Sequence, residues 1–128
     1  MAAARIFMAI AAIFGGLGVA AGAFASHSLK AYLSKRSLEI FATGARYQMY
    51  HALALLFVAL LLAQIELPNP PTLVASGISF IVGIVLFSGS LYALSLTGIQ
   101  ELGIVAPIGG IVLIVGWGCL AAAALSFK

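Results

Sequence analysis

The chain has 128 residues, 64% of them hydrophobic and only 7% charged, with a formal net charge of +3 and a mean hydropathy of +1.23. A soluble domain covers its surface with about a quarter charged residues. This chain cannot cover itself against water, so its solvent is lipid. Its few basic residues, spread along the chain, form no dense patch of the kind nucleic acid requires. The expected partners are membrane lipids, and either a larger membrane complex or further copies of the chain.

The first predicted span is Ile6 to about Ala25, about 20 residues or ~30 Å of helix, the thickness of the hydrocarbon layer. Arg5 and the small residues Ala23-Phe24-Ala25 imitate a signal peptide, but the apolar run exceeds the ~7–15 residues of a signal core. An uncleaved span is expected. Ala11, Gly15, Gly18, Gly22 and Ser26 recur along it, a small-residue pattern that lets membrane helices approach closely.

Ser28–Ser37 is the most polar stretch, with Lys30, Lys35 and Arg36. Helical spacing would put Leu29, Tyr32 and Leu33 on one side of it, which predicts a short interfacial segment with its lysines and arginine at lipid headgroups. Ser37 reads as the N-cap of the second helix, with Glu39 in its first turn. The apolar run 52–65 is too short to cross, so the second span extends back to about Arg46. Pro68, Pro70 and Pro71 end that helix, because proline lacks a backbone donor. Thr72 is the expected cap of the third span, 73–97, and Gly98 its C-terminal stop. Pro107 opens the fourth span, 107–127, after a short apolar link. The prediction is one all-α transmembrane domain over 1–128, a four-helix bundle with spans at about 6–25, 46–65, 73–97 and 107–127.

Alternating crossings gather His27, Lys30, Lys35, Arg36, Arg46, His51 and Glu101 toward one membrane side, and Arg5, Glu66 and Lys128 toward the other. The basic excess makes the first side cytoplasmic and places both termini outside. Arg46 with Tyr50, and Tyr47 with His51, are four apart and share neighbouring helix faces. His27, Arg46, Tyr50, His51 and Glu101 are therefore the candidate ligand-binding set, and Lys30, Lys35 and Arg36 the candidate headgroup contacts. Arg46 and Glu101 are expected to pair, directly or through one bridging group, since each otherwise holds a charge near low dielectric.

No catalytic site is expected. Paired carboxylates are absent, Ser88 and Ser90 fall inside a helix, and Gly109-Gly110 opens a membrane helix instead of following a strand. Two histidines, a remote Cys119 and one acid do not make a zinc site, and His27 and His51 lack the surroundings of haem ligands. No metal and no cofactor are expected.

Several stretches carry a family resemblance: Gly22-Ala-Phe-Ala-Ser-His-Ser-Leu-Lys30, Ala45-Arg-Tyr-Gln-Met-Tyr-His-Ala-Leu-Ala-Leu55, Phe87-Ser-Gly-Ser-Leu-Tyr-Ala-Leu-Ser-Leu-Thr-Gly98, Pro107-Ile-Gly-Gly110 and Gly116-Trp117. Along nearly its whole length the chain resembles the domain of unknown function 423 family, the transmembrane protein 256-like small membrane proteins. Arg46 to His51 is the most specific run; at Ala25-Ser26-His27 the family usually reads Gly-Ala-His. The resemblance implies a multi-pass protein of a bacterial plasma (inner) or organellar membrane. It supplies no reaction, and its recurrent positions fall on His27, Arg46, Tyr50, His51, Tyr92 and Pro107.

The leading functional expectation is a non-enzymatic accessory or scaffold subunit. The alternative is a binding module for an anionic lipid or amphiphile at the polar cluster; a small-solute carrier ranks third, because carriers need broken helices and a midplane site.

Overall fold

The computed structural model describes residues 2–127; Lys128, expected at the end that carries Arg5, lies outside the described residues. Four long helices follow in order: α1 (Ala2–His27), α2 (Lys35–Gln64), α3 (Pro71–Thr97) and α4 (Val105–Leu125). All four are long and apolar enough to cross a membrane. Short 3-10 turns at Leu29–Ala31 and Gln100–Ile104 join α1 to α2 and α3 to α4.

The helix ends differ from expectation where a neighbouring residue does the job better. Ser34, not Ser37, caps α2: its backbone is extended and its Oγ accepts from the Ser37 N–H at 3.1 Å. The helix therefore starts a turn earlier, and Ser37 lies inside it. Pro71 itself opens α3 ahead of Thr72, since its ring presets a helical φ and its missing donor is not needed there. Pro107 sits in the first turn of α4 with Val105 before it, again where no donor is required. Gly98 ends α3 as expected, at φ 72°, where its N–H reaches the Leu94 carbonyl at 2.8 Å. In the interfacial turn Leu29 is buried but Tyr32 is 84% exposed, so the two do not share a packed side.

Each helix packs mainly on its neighbours in sequence, which makes α2 and α3 the inner pair and α1 and α4 the outer ones. The small-residue seam of α1 is not the expected row of fours. Ala4, Ala11, Gly18 and Ala25 are its buried small residues, each seven apart. A step of seven drifts only ~20° around a helix, whereas each step of four turns ~40° and leaves the interface. Accordingly, a Cβ built on Gly15 or Gly22 meets nothing within 4 Å, and Ser26 is exposed. In α4 the buried Ala106, Gly109, Leu113, Gly116 and Ala123 fit the same seven-residue repeat. This is the repeat of helices crossing at a shallow left-handed angle.

Two apolar clusters occupy the ends of the bundle. Leu55, Val58, Ala59, Leu62, Leu73 and Phe80 belong to the larger one, and Ala25, Leu29 and Phe41 form the smaller one near the basic end. Between them lies a buried polar layer that includes Gln48, His51 and Ser88.

Candidate functional site

The polar layer links the helices by hydrogen bonds in low dielectric. Gln48 on α2 donates from Nε2 to the Phe14 carbonyl of α1 at 2.8 Å, and its Oε1 accepts from the Tyr92 hydroxyl of α3 at 2.6 Å. The Ser88 hydroxyl donates to the Gly44 carbonyl at 2.7 Å, tying α3 to α2 a second time. Nearer the proline link, the Ser76 hydroxyl donates to the Gly116 carbonyl of α4 at 2.8 Å. Among the described residues, no buried side-chain nitrogen or oxygen lacks a partner.

His51 completes the set. Its Nδ1 lies 2.7 Å from the Tyr47 carbonyl, and its Nε2 lies 3.0 Å from Trp117 Nε1 on α4. A carbonyl only accepts and an indole N–H only donates, so the neutral Nδ1–H tautomer satisfies both contacts at once. Protonating Nε2 would set two donors against each other. The imidazole and the indole meet edge to face, with ring centroids 5.9 Å apart, and Phe80 packs against both at 5.7 and 5.2 Å.

Beside this pair is a cleft of about 550 Å³, walled by α2 and α4 and floored by α3. Tyr47, Tyr50 and His51 form one wall, Phe87 the floor, and Gly110, Ile114 and Trp117 part of the other wall. Gly110 has no side chain and leaves room there; a Cβ would stand 3.8 Å from the Phe87 ring, an ordinary contact. Tyr50, Ile114 and Trp117 are 53%, 69% and 48% exposed, so the cleft opens sideways from the bundle. His51 and Trp117 sit near the middles of their helices, which sets the cleft between the two ends of the bundle.

Of the predicted residues, Tyr50 and His51 come together in this cleft. Arg46 does not join them. Five residues turn a helix by roughly 140° net, so Arg46 leaves α2 on a different face from His51, where it lines a depression between α1 and α2. Its Nη2 donates to Thr43 Oγ1 at 3.3 Å, and no ion pair links it to Glu101 among the described residues. Glu101 is exposed in the 3-10 turn between α3 and α4. Helix counting matches levels but not directions, which is why the expected Arg46–Glu101 pair does not form. His27, Lys30, Lys35 and Arg36 are all exposed at the basic end, outside the cleft. Sequence reading missed Gln48 and the role of Trp117. An amide in mid-span, and the chain's single tryptophan away from any span end, were the available signals.

Four spans packed around a hydrogen-bonded polar layer define a polytopic helical membrane protein. The chain belongs to the family described as protein of unknown function (DUF423), whose model matches residues 21–110. It is 39% identical over 123 residues to the UPF0382 membrane protein YwdK of Bacillus subtilis, covering 96% of this chain and 98% of that one. A UPF0382 membrane protein of Haemophilus influenzae is 39% identical over 115 residues, 90% of each chain. The UPF0382 inner membrane protein YgdD of Escherichia coli is 34% identical over 125 residues, 97% of this chain and 92% of that one. No solved structure matches significantly. The matched segment contains the cleft wall on α2 and the floor on α3, but stops before Trp117.

Proposed function

We propose that the protein is a non-enzymatic binding module that holds a ring-bearing amphiphile from the membrane in the cleft between α2 and α4. The observation that carries this reading is the lining of the cleft. Five aromatic or imidazole rings face a space of about 550 Å³, within the ~300–1,000 Å³ usual for small-molecule sites. Rings stack on rings, so a flat ring is the natural occupant. The Tyr50 hydroxyl at the opening can donate to an acceptor on that ring, and the tail would run out among the lipid chains. His51 has both nitrogens engaged and no carboxylate beside it, which supports a positioning role over acid–base chemistry.

Mass spectrometry of small molecules co-extracted in native lipid discs tests the proposal. Wild-type discs should be enriched in a ring-bearing amphiphile, and Gly110→Leu, which fills the cleft, should lose it. Equal content in both would sink the proposal.

One observation favours an accessory or scaffold role as a second reading. Gly15, Gly16 and Gly118 on the outer helices have open space where a Cβ would stand, room for a helix of another protein to approach. A partner copurifying in fixed ratio would support it.

A further inference from the structure

Arg46 poses a question the cleft does not answer. It lies only ~7 Å along α2 from the mid-helix His51, at a depth where an unpaired cation is costly. Among the described residues its one side-chain hydrogen bond goes to a neutral hydroxyl, Thr43 Oγ1, a turn nearer the basic end. That oxygen already donates to the Glu39 carbonyl at 2.9 Å, so it can only accept from the guanidinium. The arginine therefore reaches up toward the headgroup level with most of its donors unused.

Arg46 also borders a groove. Two adjoining depressions run between α1 and α2 and share Ala25, Ser26 and Ala42. The upper one, about 300 Å³, has Lys30 at its edge; the lower one, about 290 Å³, has Arg46 and is bounded on α1 by Gly18 and Gly22. A Cβ at Gly22 would meet nothing within 4 Å, so this stretch of the groove is open and unfilled by the chain itself. Two cations bracket a slot whose remaining wall residues carry no charge.

We infer that this α1–α2 groove is a site for an anionic phospholipid of the surrounding bilayer, its phosphate held by Arg46 and Lys30 and an acyl chain lying over Gly22. Charge complementarity selects the occupant: two basic side chains face a single slot and no acid lines it. A guanidinium binds phosphate oxygens through paired N–H donors, and an ammonium adds a point charge at the headgroup level. The inference stands apart from the cleft, which lies on the other side of α2.

The full-length protein in discs of equimolar phosphatidylglycerol and phosphatidylcholine, released and weighed by native mass spectrometry, tests it. Wild type should retain phosphatidylglycerol in preference to phosphatidylcholine. Arg46→Gln should lower that preference about fivefold, the effect of one basic side chain on an anionic lipid. Gly22→Leu, whose Cβ has open space and whose longer side chain occupies the groove, should abolish it while leaving the melting temperature unchanged. Equal retention of the two lipids by wild type would overturn the inference, as would an unchanged preference in either variant.

Discussion

Gln48 joins three helices with one amide. Gln48→Leu deletes the bonds to Phe14 and Tyr92 and leaves the Tyr92 hydroxyl without its partner. Interhelical bonds in membranes average ~0.6 kcal/mol with a maximum near ~1.7, so the variant should lose roughly 1–3 kcal/mol of stability. Reversible unfolding in mixed micelles would measure it; no change would mean the polar layer does not hold the helices together. The residue scale is also where sequence reading reached least far. Tyr50 and His51 were recognised as neighbours because helical spacing is local. The choice of Trp117 as the partner of His51, and the failure of Glu101 to meet Arg46, depend on how helices are rotated against one another, which spacing along one helix does not report.

At the scale of the helices, glycines divide into those that carry an interface and those that face outward. A Cβ at Gly109 would fall within 2.8 Å of the Phe87 Cα, and one at Gly116 within 2.7 Å of the Phe80 ring. A Cβ at Gly118 meets nothing within 4 Å. Gly109→Ala must push α4 off the α3 backbone and should cost about 1–3 kcal/mol, the range for overpacking a tight core. Gly118→Ala should cost nothing and gain up to about 1 kcal/mol, because alanine loses less backbone freedom than glycine in a helix interior. Thermal melts of the two variants side by side would check this contrast, and equal melting temperatures would refute the α3–α4 register. The helices themselves were legible because apolar runs, prolines and Gly98 are strong signals read one segment at a time. Seam selection was not: α1 offers small residues at both four- and seven-residue spacing, and only the partner's surface decides between them.

Across the whole molecule, antiparallel neighbours bring the 28–34 and 98–104 connections to one end and the proline link to the other. The basic residues Lys30, Lys35 and Arg36 share the first end, so the positive-inside rule predicts that end in the cytoplasm and both termini outside. A reporter fused to the C-terminus should be active only as an exported enzyme; activity of a cytoplasm-only reporter would invert the orientation.

A ring-bearing amphiphile in the cleft beside His51 and Trp117 would be sensed by the chain's own probe, because Trp117 is its single tryptophan. Titrating the protein in lipid discs with a short-tailed quinone, a ring-bearing amphiphile that quenches indole emission, reads the cleft directly. The expected result is saturable quenching of Trp117 in the wild type and only weak, linear, collisional quenching in Gly110→Leu. Linear quenching of equal slope in both proteins would mean that no ring-bearing amphiphile binds in the cleft.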